Sequence, residues 1–116
     1  MIMFDDDLRY GFFDIGFGCL CDNHVAAISE ILGEKLTGEE LSKRILSGGR
    51  NKYRSALLEA NGSFLEEFAG DMRTYVDSVN TNIRLGYCSC LTSWDIDGTD
   101  PMRVSRIPSI CPAGRS

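Results

Sequence analysis

The sequence predicts a mainly α fold, a small four-helix domain in which the N- and C-terminal segments could form a short two-stranded β ribbon. Two observations favour the helices. Apolar residues recur every three to four positions through residues 22–84, and capping residues and glycines divide that pattern into four runs. A third observation favours the ribbon, because short alternating runs lie on both sides of the helical region.

The 116 residues are predicted to form one domain, since this length is typical of a single hydrophobic core. Residues 1–21 are predicted to be an acidic, aromatic arm or strand, and residues 22–84 the helical body. Residues 85–116 are predicted to be a strand followed by an irregular tail. That last segment contains all three prolines of the chain, and turn-forming residues dominate it.

The first two predicted helices cover residues 23–32 and 38–46. Gly33 can adopt the left-handed conformation that ends the first helix. Thr37 and Glu40 form a capping-box pattern at the start of the second, in which each side chain can bond the other residue's backbone amide. Both helices carry an apolar stripe on one side, so each is expected to pack against the helices that follow.

The third and fourth predicted helices cover residues 51–60 and 63–83. The Asn61–Gly62 pair between them is typical of a helix C-terminus. Ser63 and Glu66 then form a second capping-box pattern, which predicts a new helix start. The fourth helix has the longest apolar stripe in the chain, and its length leaves homodimerisation open.

The predicted ribbon pairs residues 12–20 with residues 86–94. Apolar and aromatic residues alternate in both segments, although glycines weaken the pattern. Such a pairing would bring together two Cys-x-Cys segments, residues 19–21 and 88–90.

The cysteines are the one feature that suggests metal chemistry. Zinc takes four thiolate or imidazole ligands, and Cys19, Cys21, Cys88 and Cys90 would supply four sulfurs, with His24 nearby. On an extended strand, however, the two side chains of a Cys-x-Cys segment lie about 7 Å apart. Sulfurs bound to one ion lie about 4 Å apart, so a bend would be needed. Buried, reduced cysteines are the favoured interpretation, with no cofactor expected; a zinc or redox module is the alternative.

Catalysis is not expected from this sequence. Cys88 or Cys90 with His24 would provide a nucleophile and a base, but the sequence identifies no third group to orient the histidine.

Three aspartates interrupt the N-terminal segment, which lacks the pattern of a secretory signal. No apolar run approaches the about 20 residues of a membrane span, so a cytoplasmic protein without membrane attachment is expected.

The charge distribution favours a protein partner with a basic surface. The net charge is −5, which disfavours nucleic acid as a partner. We expect a small acidic protein-binding module, of which an inhibitor or immunity-type protein would be an example. The acidic contact residues would be Asp5, Asp6, Asp7, Asp14, Asp22, Glu30, Glu34, Glu39 and Glu40. Phe12 and Phe13 would be aromatic anchors.

A basic block, residues 41–60, suggests an alternative function. Residues 38–60 read as helix, glycine turn and helix, the pattern of a helix-turn-helix nucleic-acid binder. Arg50, Lys52 and Arg54 would then contact the nucleic acid from the second helix. The acidic remainder of the chain would repel a duplex, and therefore this hypothesis ranks below protein binding.

Overall fold

The structure, a computed structural model, describes residues 1–4, 19–48, 51–87 and 110–112. This part of the chain contains three helices and three short strands. In chain order they are β1 (Ile2–Phe4), α1 (Asp22–Leu32), α2 (Gly38–Ile45), α3 (Lys52–Val79), β2 (Leu85–Tyr87) and β3 (Ile110–Pro112). The mainly α prediction is confirmed, whereas the predicted number of four helices is wrong.

The first two helices begin and end within one residue of the predicted positions. Gly33 adopts the left-handed conformation with φ 68°, and its amide donates a hydrogen bond to the Glu30 carbonyl at the end of α1. At the start of α2, the Glu40 amide donates to Thr37 Oγ1 at 3.2 Å, and the Thr37 amide donates to Glu40 Oε2 at 3.1 Å. The capping box is therefore formed in full.

The third and fourth predicted helices are one continuous helix, α3, of 28 residues. The chain does not turn at Asn61 and Gly62, which are both buried within α3. In a helix interior, asparagine and glycine are each about 0.5–1 kcal/mol less favourable than alanine. Burial of a leucine stabilises by about 1.5–3 kcal/mol, and both Leu57 and Leu65 are buried on this helix. Packing on both sides of the pair therefore outweighs the local preference for a break.

The helix ends at Val79, four residues before its predicted end. Asn80 leaves the helical conformation, and its side-chain oxygen accepts a hydrogen bond from the Asn82 amide at 2.9 Å. This local bond stabilises a turn in place of another helical turn. The chain then enters β2.

The strands form a parallel sheet in the order β1-β2-β3. Ile2 lies opposite Leu85, which in turn lies opposite Ile110. The N- and C-terminal segments thus provide the sheet, as predicted, but with three strands instead of two. The pairing predicted between residues 12–20 and 86–94 lies mostly outside the described residues. It is wrong for Gly86 and Tyr87, which pair with β1 on one side and β3 on the other.

The hydrophobic core lies where α1 and α2 pack against the first half of α3. Its fully buried members come from all three helices and are Ile28, Leu41, Ile45, Ala56, Leu57 and Ala60. No helix in the described part of the chain is both long and apolar enough to cross a membrane.

Candidate metal centre

Two cysteines and the histidine lie together at the start of α1. Cys21 is the N-cap residue with extended backbone angles, φ −69° and ψ 169°, and His24 lies in the first helical turn. Leu20 packs against the core, and its carbonyl oxygen lies beside Gly38, where an added Cβ would be 3.4 Å away. The segment that carries both cysteines is therefore held against α2.

The three side chains converge on one point. Their ligand atoms, the two sulfurs and one imidazole nitrogen, all lie within 4.8 Å of one another. Cys21 Sγ lies 3.1 Å from His24 Nδ1, and the Cys21 amide donates to Cys19 Sγ at 3.3 Å. This local turn supplies the bend that an extended Cys-x-Cys segment would lack. The predicted distance of about 7 Å for a strand therefore does not apply here.

The position of His24 is set by the core. Its half-buried ring lies edge-on to the Phe64 ring of α3, with centroids 4.9 Å apart and an interplanar angle of 60°. Phe64 itself packs against the hydrophobic core. The imidazole is thereby positioned by a residue 40 places later in the chain.

The Cys21 thiol is acidic for a cysteine. The imidazole of His24 lowers the pKa of this thiol from 9.0 to about 6, and the backbone of His24 and the Cys19 side chain act in the same direction. Because the folded chain binds the proton more weakly, the contact stabilises the fold at alkaline pH. That stabilisation is lost as the pH falls through about 6.

We expect the alkylation of Cys21 by iodoacetamide to reach half its maximal rate near pH 6 in reduced, metal-free protein, because only the thiolate reacts. In the His24→Ala variant the midpoint should rise towards the ordinary value of 9.0. Peptide-resolved mass spectrometry measures the rate at Cys21 separately from the other cysteines. A midpoint that does not change in this variant would show that the imidazole does not control the thiol.

Of the four predicted sulfur ligands, the structure brings Cys19 and Cys21 together. Both are free and exposed, so the favoured prediction of buried cysteines is wrong for these two. Cys88 and Cys90 lie outside the described residues. His24, which the sequence places near these cysteines, lies in the same cluster and is half-buried. The signal that could have identified it is the spacing Cys-x-Cys-x2-His, read across a helix start.

The described acidic residues predicted to contact a partner fall into two groups. Asp22 and Glu30 are exposed on α1. Glu34, Glu39 and Glu40 are engaged within the chain, the last of them in the capping box of α2. The other predicted contact residues, Asp5, Asp6, Asp7, Phe12, Phe13 and Asp14, lie outside the part of the chain that the structure describes.

The engaged glutamates neutralise part of the basic block. Glu34 lies 3.1 Å from Lys52 Nζ and 3.8 Å from Arg44 Nη1, and Glu39 lies 3.3 Å from Lys43 Nζ. Glu34 raises the pKa of the Lys52 amine, chiefly through this hydrogen bond.

The residues predicted to contact nucleic acid are therefore only partly available. Lys52 and Arg44 also lie over the ring of Tyr53, at 5.1 and 5.2 Å from its centroid. Arg54 is half-buried, and Arg50 lies beyond the described ranges. The helix-turn-helix alternative remains a prediction.

Comparison of the chain with protein-family models, curated proteins and solved structures found no match in any of the three.

Proposed function

We propose that the protein is a small helical module that binds a soft divalent cation, zinc above all, through Cys19, Cys21 and His24. The observation that carries the proposal is the convergence of the three ligand atoms within 4.8 Å. Thiolate and imidazole together are ligands that favour zinc over magnesium or calcium, which prefer oxygen.

The distances in the cluster fit zinc with small adjustments. With Zn–S bonds of about 2.3 Å and Zn–N bonds of about 2.0 Å, tetrahedral ligand atoms lie about 3.5–3.8 Å apart. The Cys21–His24 pair, at 3.1 Å, needs to open slightly. The largest separation, which is within 4.8 Å, needs to close by no more than about 1 Å, which side-chain rotation at the exposed cysteines can provide.

Protonation also favours binding at neutral pH. Metal ligation requires thiolates, so protons must be displaced from ordinary thiols before a cation can bind. The pKa of about 6 at Cys21 means that this sulfur is already mostly deprotonated at pH 7. The positive end of the α1 dipole favours the same charged form.

The fourth coordination position decides the type of site. A fourth protein ligand would close it as a structural centre, whereas a bound water would leave it open to a further ligand. Cys88 and Cys90 are the residues that the four-sulfur prediction assigns to this position. The three residues at the start of α1 form the part of the site that the structure describes.

The test is a zinc titration of reduced, chelator-treated protein in competition with a chromophoric chelator, followed by native mass spectrometry. We expect one zinc per chain. Cobalt(II) in place of zinc should give tetrahedral d–d bands and thiolate charge-transfer absorption. Cys88→Ser and Cys90→Ser variants then identify the fourth ligand, since only a ligating cysteine reduces the charge-transfer intensity. A full-length protein that retains no zinc at micromolar concentration would refute the proposal.

A second proposed function is the acidic protein-binding module predicted from the sequence, with an inhibitor or immunity-type role as one form. One observation favours it: Tyr75 and Val79, on α3, expose 67% and 71% of their surfaces, and acids lie beside them. Its test is retention of a basic protein at low salt and release at high salt, because exposed charge pairs are screened by salt. Binding that salt does not affect would contradict it.

A further inference from the structure

One face of α3 is covered in its first half and exposed in its second. Leu57 and Phe64 lie on this face and pack into the core with α1 and α2. Phe68, Tyr75 and Val79 continue the same face, because the steps between these five residues are 7, 4, 7 and 4. The exposed fraction rises along the face from 1% at Leu57 to 44% at Phe68 and 71% at Val79.

The exposed part of this face has the shape of a helix-packing surface. It extends from Phe68 to Val79, which is about 16 Å or three turns. Single exposed apolar residues are common and need no explanation. Three that are aligned, and that continue a face already packed against other helices, are typical of a binding surface.

Charge indicates what would cover the face. Glu67 and Asp71 are exposed along its edge. Arg73, the one basic residue of α3 between Phe68 and Val79, is buried and bonded to Asp77. Pairing with a second copy of α3 would therefore place acids against acids or against neutral residues, so it gains nothing from charge. A helix with basic residues beside its apolar stripe would complement the acids.

We propose that this outer face of α3, formed by Phe68, Tyr75 and Val79 with Glu67 and Asp71 at its edge, binds an amphipathic helix of a partner protein that carries lysine or arginine beside its apolar stripe. The inference goes beyond zinc binding, and it rests on the second proposed function, to which it assigns a surface and a kind of partner. Apolar contact at Tyr75 and Val79 provides affinity, and the acids select a basic partner.

The test uses two synthetic helical peptides with the same leucine stripe, one flanked by lysine and arginine and the other by glutamate. Each is labelled, and its binding to the full chain is measured by fluorescence anisotropy. We expect the basic peptide to bind at micromolar concentration and the acidic peptide at least about tenfold more weakly. The double variant Tyr75→Ser/Val79→Ser should bind the basic peptide at least about tenfold more weakly than the native chain does. The double variant Glu67→Lys/Asp71→Lys should reverse the preference.

The matched control is Ile31→Ser/Leu46→Ser, which removes two exposed apolar side chains elsewhere on the surface and should leave peptide binding unchanged. Thermal unfolding of every variant confirms that the fold is intact. Binding of the basic peptide that survives Tyr75→Ser/Val79→Ser would overturn the surface while leaving an acidic binding function standing. No binding of either peptide would overturn the surface, whereas the second proposed function is overturned only if a basic protein also fails to bind at low salt. Sedimentation tests for a dimer. If the native chain is a dimer and Tyr75→Ser/Val79→Ser dissociates it, the face binds a second copy of the chain, and the proposal is overturned.

Discussion

Replacing Leu57 with alanine is expected to lower the free energy of unfolding by about 2–5 kcal/mol. Leu57 is 1% exposed and lies in the core between α3 and the two shorter helices. Its truncation removes buried apolar surface and leaves a cavity between α1, α2 and α3. The surrounding side chains can fill that cavity only in part. A domain of this size is stable by about 5–15 kcal/mol in total, so this loss is a large share of the free energy of unfolding. Chemical denaturation followed by circular dichroism measures the change.

The control for this prediction is Leu46→Ala, which removes the same atoms at a site that is 63% exposed. It should change stability by no more than about 0.5 kcal/mol. Both variants need to be measured in the same zinc concentration, because a bound ligand adds to apparent stability. Equal effects of the two substitutions would mean that the first half of α3 does not form the core.

The sequence identifies helical residues well but not where helices join. Asn61–Gly62 and the Ser63–Glu66 pattern are local signals, and together they predict a break. The structure instead buries Asn61, whose side-chain nitrogen and oxygen have no hydrogen-bond partner among the described residues. Helix continuity at this point depends on contacts with α1 and α2, and no local pattern contains that information.

Strand pairing in the sheet is even harder to predict from local sequence than helix continuity. The sequence places strands in the terminal segments, but Ile2–Phe4 carries no alternating pattern that would identify its partner. Its pairing with Leu85–Tyr87 is parallel and joins residues about 80 positions apart. A parallel pair needs a long connection, here the helical body, so its register follows from the tertiary fold.

The candidate metal centre was half predictable. Cys19 and Cys21 could be proposed from residue type alone, since thiolates bind zinc. Their local geometry could not, because Cys-x-Cys has different sulfur separations in a strand and in a turn before a helix. His24 has a local signal, the spacing Cys-x-Cys-x2-His, but the orientation of its ring depends on contact with Phe64 of α3, which no local pattern contains.

The variants of the metal centre are expected to have the largest functional effect. Replacing Cys21 with serine, or His24 with alanine, should lower zinc affinity by about a hundredfold. Structural zinc sites bind with about 10–16 kcal/mol over four ligands, so one ligand accounts for about 3 kcal/mol, which is about two factors of ten. Cys19→Ser should act similarly, because its sulfur belongs to the same cluster. Competition with a chelator of known affinity measures each change.

The matched control is Phe64→Leu, which keeps all three ligands but removes the ring that contacts His24. An edge-on aromatic contact is worth about 0.5–1.5 kcal/mol, which is at most about tenfold in affinity. This variant should therefore bind zinc slightly more weakly than the native chain and more tightly than Cys21→Ser. Cobalt(II) spectra separate the two cases, because thiolate charge transfer persists in Phe64→Leu and decreases in Cys21→Ser. If both ligand variants and Phe64→Leu bound zinc as the native chain does, the metal would lie elsewhere, and the cluster at the start of α1 would hold only a hydrogen-bonded thiol.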